Sequence, residues 1–294
     1  MRRGTYSIVA HDPRTGECGV AVQSHWFSVG SVVTWGRAGV GAVATQSIAE
    51  PAYGPRLLDA LAAGEDPQSA LDRLVAADAQ GRFRQVACVR ADGKVAVHTG
   101  DGCIAFAGHR TGAGFSAQAN MMATELVWGA MAEAFSGSGG TLARRLMAAL
   151  DAAEGAGGDA RGRQSAALLV VPPEGEEWDR VELRVEDDPE PLEELRRLLG
   201  VHEAYDLATQ GDELTGAGDH AAAGAKYQQA AAMEPGNHEL LFWAGLAAAQ
   251  GGDMETALDR VRRAIELQPG WRELLGRLSP EIAPGAAAVA AALD

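Results

Sequence analysis

Apolar and polar residues alternate from the start of the chain, and the alternation predicts a hairpin. Residues 5–11, Thr-Tyr-Ser-Ile-Val-Ala-His, run into the turn Asp12-Pro13-Arg14-Thr15-Gly16, and residues 17–25 return beside them. Residues 31–37 and 39–45 read as two further buried strands rich in glycine. Helices are predicted near 56–63 and over 66–78, the second with Pro67 in its first turn and a stripe of Leu71, Leu74 and Val75. Residues 85–89 and 94–98 form a second hairpin around Asp92-Gly93. Helices over 122–135 and 142–154 and strands over 166–171 and 181–185 complete this part. The order departs from strict βαβ alternation and suits two mainly antiparallel sheets with helices outside them.

The pattern changes at Glu186-Asp187-Asp188-Pro189-Glu190-Pro191, beyond which every predicted element is helical. Pro235 and Pro269 lie 34 residues apart, and the same offset relates Gly211 to Gly245, Gly218-Asp219 to Gly252-Asp253, Ala223 to Ala257 and Ala230 to Ala264. That period, with small residues at helix crossings and proline after the second helix, is the tetratricopeptide signature. The chain is thus expected to hold one domain over 1–190 and a helical tetratricopeptide-like domain over 191–294. Residues 192–199 and 283–293 are expected to cap the repeats or dock them.

Composition narrows the function classes. A net charge of −15 argues against nucleic acid and against anionic membranes as partners. Cys18, Cys88 and Cys103 are odd in number and form no C-x-x-C pair, so neither a disulfide framework nor a zinc site is expected. No long apolar run follows Arg2-Arg3 or occurs elsewhere, which predicts neither signal peptide nor membrane span. The expectation is a cytoplasmic protein.

Candidate chemistry gathers at strand ends. Thr5 opens the first strand and follows Gly4; if the bond between them were cut, Thr5 would carry a hydroxyl and, beside it, an α-amine able to act as its base. The bland alternative is a surface threonine. Ser24 and His25 end the second strand; as neighbours on a strand they point to opposite faces and cannot easily bond each other. Thr45-Gln46-Ser47 ends the fourth strand, with helix capping as its structural reading. His109 lies in a glycine-rich turn without a second ligand at metal spacing, and Asn120 follows in the same polar stretch. The segment 157–165 lacks the Gly-Lys-Ser/Thr ending of a phosphate loop, so its Asp159 and Arg161 are read as a local pair.

Thr5-Tyr6-Ser7-Ile8-Val9-Ala10, Gly39 through Gln46, Tyr53-Gly54-Pro55, Ala107-Gly108-His109 and the segment from Gly157 to Leu168 occur in that order. Together they resemble the bacterial N-terminal-nucleophile (Ntn) hydrolase-like family called domain of unknown function 1028, over roughly residues 4–200. The resemblance implies an α+β fold, a four-layer αββα sandwich, and no established substrate. By analogy with the wider Ntn superfamily it makes Thr5 the nucleophile, Ser24 the polar residue ending the second strand and Arg37 the basic residue that lowers the amine's pKa. The backbone amides of Thr45 to Ser47, with Gln46 between them, become the oxyanion site. His25, Ser47, His109, Asn120, Asp159, Arg161 and Gln164 are the expected substrate-side groups. The reading is an amidohydrolase cleaving a C–N bond of a small molecule, without metal or cofactor, and a homodimer is expected. The alternative is a catalytically inactive Ntn-type scaffold that binds a small ligand while its helical tail recruits a protein.

Overall fold

A computed structural model describes residues 4–293. The opening hairpin is β1 (Thr5–His11) and β2 (Cys18–Ser24), in register from Tyr6 opposite Gln23 to His11 opposite Cys18. Asp12 closes its turn: its carboxylate accepts from the Arg14 amide at 3.0 Å and its main chain brackets Gly16 and Glu17.

Residues 31–37 do not form one strand. Gly30–Val33 makes a single helical turn, α1, before β3 (Thr34–Arg37). The Ser28 carbonyl accepts from both the amide and the hydroxyl of Ser31, and the turn places Val29 and Val33 on one face, both in the core between the sheets. Burial of that pair overrides the local strand pattern. The chain continues through β4 (Gly41–Ser47), α2 (Tyr53–Ala62) and α3 (Pro67–Ala76), where Asp66 caps by accepting from the amides of Gln68 and Ser69. Next come β5 (Arg84–Arg90), β6 (Val95–Thr99), β7 (Gly108–Gly112) and β8 (Phe115–Asn120). The pair β7–β8 was not expected. Then follow α4 (Val127–Gly137), α5 (Leu142–Gly155), β9 (Ser165–Val171) and β10 (Val181–Val185).

These strands make two antiparallel sheets, one ordered β10-β9-β2-β1-β8-β7 and the other β3-β4-β5-β6. Strand alternation decides what each face meets. Val9, Val20, Val22 and Leu169 of the first sheet pack against Ala42, Ala44, Ala87 and Val89 of the second. The other face of the second sheet, with Val43, Val86 and Cys88, packs on Leu57, Leu61 and Leu71 of α2 and α3. The other face of the first sheet meets α4 and α5, where Phe115 of β8 lies 4.9 Å from Phe135, centroid to centroid. Toward one end the layer between the sheets stops being apolar, and Thr5, Ser7, Ser24, Gln46, Gln85, Gln118 and Asn120 are buried there.

The chain divides into two compact units, one ending at Arg196 and the other beginning at Arg197. The division falls inside a continuous helix, α6 (Pro191–Gly216), rather than in the acidic segment before it. The second unit continues with α7 (His220–Met233), α8 (His238–Gln250), α9 (Met254–Leu267), α10 (Gly270–Leu275) and α11 (Ala286–Leu293). The 34-residue offset has a physical counterpart. Asp219 and Asp253 cap α7 and α9 by accepting from the amides of Ala222 and Thr256. The preceding Gly218 and Gly252 both take positive φ, +81° and +87°. Gly211 meets the Tyr227 ring, and Gly245 meets Val261, each too closely for a β-carbon.

Candidate active site

Thr5 is the first residue of β1 and points between the sheets, where it is 1% exposed. Its Oγ1 donates to the Gly4 carbonyl at 2.6 Å and lies 3.1 Å from Ser24 Oγ. The same carbonyl oxygen accepts from Ser24 Oγ and, at 2.8 Å, from Arg161 Nη2. One carbonyl next to a candidate nucleophile thus faces three side-chain donors, one cationic.

Arg161 is aimed by Asp159. The guanidinium grips the carboxylate through Nε at 3.1 Å and Nη2 at 2.7 Å, and the Arg161 amide donates to Oδ1 at 2.9 Å. The His25 amide adds a donor at 3.2 Å. Two glycines with positive φ, Gly157 at +117° and Gly158 at +57°, bring Asp159 in, and Met122 bridges to it. The loop thus presents a local pair, as its composition suggests, and its arginine reaches the Gly4 carbonyl next to Thr5.

The floor of the site is an amide network across both sheets. Gln46 Nε2 donates to the Thr5 carbonyl at 3.3 Å and to Gln85 Oε1 at 2.8 Å; Asn120 Nδ2 donates to the same two oxygens at 3.4 and 3.0 Å. Ser7 Oγ donates to Gln46 Oε1 at 2.6 Å and accepts from Gln118 Nε2 at 2.7 Å, while Ser116 Oγ donates to Gln118 Oε1 at 2.8 Å. Asn120 Oδ1 is buried without a partner among the described residues. The two residues after Gln46 and Asn120, Ser47 at φ 71° and Met121 at φ 58°, are non-glycine residues in the left-handed region. Such conformations persist where surrounding structure enforces them, and they gather at functional sites.

Of the expected site residues, Thr5, Ser24, Gln46, Asn120, Asp159, Arg161 and the His25 amide come together. The His25 ring is exposed, with Nδ1 3.3 Å from the Arg163 carbonyl. Arg37 is not in the site. It pairs with Gly41 at the far end of β4 and forms an ion pair with Asp59 at 2.8 Å. At about 3.3 Å per residue, that end of the strand lies roughly 17 Å from Gln46. Thr45 points to the opposite face of β4 from Gln46 and donates to the Glu50 carbonyl. Gln164 binds Asp187 outside the site. His109 stands at the outer end of the network, its Nδ1 2.9 Å from Thr99 Oγ1, which accepts from Gln85. Partial burial, with His98 nearby, lowers the His109 pKa. Ser7, Gln85 and Ser116 are not singled out by the sequence, whereas Gln118 belongs to the polar stretch that ends at Asn120. The visible signal is the alternation Ser116, Gln118, Asn120, a polar face on a strand. Burial, followed by the charge and hydrogen bond of Glu154, raises the Tyr6 hydroxyl pKa well above its ordinary value; Tyr6 lies on the helix-facing side of β1, 2.8 Å from Glu154.

The profile of a family of unknown function, DUF1028, matches residues 5–195. The chain belongs to that family. It is also similar to the crystal structure of protein SPO2555 from Silicibacter pomeroyi, attributed to the same family. That match has 36% identity and a TM-score of 0.62, covering 67% of this chain and 88% of the other. Among curated proteins none matches. No helix among the described residues is long and apolar enough to cross a membrane, and no cluster of three or more potential metal ligands occurs among them.

Proposed function

We propose that the protein is an N-terminal-nucleophile amidohydrolase with an αββα core, in which Thr5 attacks the carbonyl of a small amide. The observation that carries the reading is Thr5 Oγ1 at 2.6 Å from a carbonyl oxygen that Arg161 and Ser24 also hold. Cutting the Gly4–Thr5 bond would free the α-amine, and removal of Gly4 would vacate the space in front of the hydroxyl. The amine takes the Oγ1 proton as Oγ1 bonds to the acyl carbon. It then passes that proton to the departing amine as the C–N bond breaks. Water, giving a proton to the same α-amine, attacks the resulting ester; the acid leaves and Oγ1 regains its proton. Arg161 Nη2 and Ser24 Oγ serve the developing oxyanion, a role in which each fixed donor is worth about 3–4 kcal/mol. This assignment replaces the amides of Thr45 to Ser47 in that role and gives Arg37 none.

The test is a screen of amides, lactams and ureido compounds with mass detection, using a chain that begins at Thr5. Turnover is expected for that chain, partial turnover for Thr5→Ser and none for Thr5→Ala. Full activity in Thr5→Ala contradicts the reading. The rival, an inactive ligand-binding scaffold, draws on the complete burial of Thr5 and on a cleft of about 570 Å³ beside Trp35, away from Thr5. Ligand retention without turnover by the chain beginning at Thr5 would favour it. For the second unit we propose a tetratricopeptide pair that recruits a protein, a reading supported by the repeated caps and glycine contacts.

A further inference from the structure

We infer that Asp159 and Arg161 build an acyl subsite that accepts glycyl, acetyl and straight-chain acyl groups and excludes those with an L-side chain on the carbon next to the carbonyl. The inference rests on the Thr5 reading above. Transfer of the Gly4 acyl group to Thr5 Oγ1 and acylation of Thr5 by a substrate give the same ester, apart from the acyl substituent. The place Gly4 occupies is therefore the place a substrate's acyl group takes in that intermediate.

There the carbonyl oxygen is held by Arg161 Nη2 at 2.8 Å and by Ser24 Oγ, and the α-carbon faces the Asp159 carboxylate. A β-carbon on residue 4 would lie 2.7 Å from Oδ2, 2.8 Å from Oδ1 and 2.9 Å from Cγ of Asp159, closer than real β-carbons approach any atom. A flexible side chain could swing aside, but this one cannot. Its oxygens accept from Arg161 N, Nε and Nη2 and from His25 N, and the side chain is wholly buried. The backbone behind it is held too: the Gly158 amide donates to the Ala153 carbonyl and its carbonyl accepts from the Ala123 amide, both at 3.0 Å, and the Ala160 amide donates to the Met121 carbonyl at 3.1 Å. One wall thus does two jobs. Asp159 orients the guanidinium that holds the acyl oxygen, and it fills the volume a side chain on the neighbouring carbon would need.

The probes are the 4-nitrophenyl esters of N-acetylglycine and N-acetyl-L-alanine, which share a leaving group and differ only by the L-methyl group on that carbon. Each acylates Thr5 by forming the Oγ1–C bond and releasing nitrophenol, so the release burst and the intact mass of the adduct both report it. They are applied to the full chain and to a chain beginning at Thr5. The expected result in the chain beginning at Thr5 is a glycine-to-alanine ester rate ratio roughly tenfold or more above the hydroxide ratio in buffer, the scale on which a pocket discriminates one methyl group. Asp159→Ala should bring the ratio toward the buffer value, and Arg161→Met should slow both acylations. If Asp159→Ala does not fold, Asp159→Ser, which keeps an acceptor for the surrounding amides, takes its place. A ratio equal to that in buffer, or one unmoved in a folded Asp159 variant, overturns the subsite while leaving Thr5 as nucleophile. No adduct on Thr5 with either ester removes both.

Discussion

Gln85 holds the candidate site together from the second sheet. Its Nε2 serves Thr99 Oγ1 and the carbonyls of Gly108 and Ala119, and its Oε1 accepts from Gln46 and Asn120. Gln85→Leu keeps the volume but strands those buried partners, and each unsatisfied group costs about 1–3 kcal/mol. The variant should lose roughly 2–3 kcal/mol in urea unfolding, while a loss below about 0.5 kcal/mol would mean that water replaces the amide. Arg37 provides the contrast. Its ion pair with Asp59 leaves 43% and 71% of the two side chains exposed. Exposed pairs contribute about 0–1 kcal/mol. Arg37→Met should therefore change neither the melting temperature nor turnover appreciably, and a large fall in turnover per folded molecule would restore it to the mechanism. Sequence patterns point to Thr5 because it follows glycine at the opening of a strand, and to Ser24, Gln46, Asn120, Asp159 and Arg161 because their polar clusters interrupt apolar runs. They could not separate Arg37 from Arg161, since strand order and register decide which arginine lies beside Thr5.

At the scale of elements, the opening hairpin carries a pH signature. Asp12 is buried, and its hydrogen bond from Arg14 outweighs the burial, holding its carboxyl at about 2. The unfolded value is about 3.9. A depressed folded pKa stabilises above the unfolded value, and that contribution fades as pH falls from about 4 to about 2. Melting temperature should drop across that window, and Asp12→Asn should flatten this part of the slope; an unchanged slope in the variant would assign acid lability elsewhere. In the second unit Gly245 allows α8 and α9 to meet, since a β-carbon there would lie 2.7 Å from Val261 Cγ2. Gly245→Val should destabilise by about 1–3 kcal/mol, measured by chemical unfolding. The helix α3 is legible because its stripe of Leu71, Leu74 and Val75 repeats, and the 34-residue offset marks the caps of α7 and α9. The turn α1 and the hairpin β7–β8 are not legible. The first exists because Val29 and Val33 are buried together, and the second hides its pattern behind polar residues that face a polar layer.

At the scale of the whole molecule, the division at Arg196 places Leu192 and Leu195, both buried, in the first unit although they belong to α6. A fragment ending at residue 200 should therefore melt cooperatively and above one ending at 190. Equal melting temperatures would return the boundary to the acidic segment. Both sheets, the amide network and the Asp159–Arg161 pair lie in that unit, so any turnover should survive loss of the second. Catalysis by a threonine through its own freed amine is read from the intact mass of the purified full-length chain and of its Thr5→Ala variant. The expected result is a mature chain whose first residue is Thr5, with Gly4 still attached in the variant. An intact Gly4–Thr5 bond in protein that hydrolyses amides at full rate would contradict it.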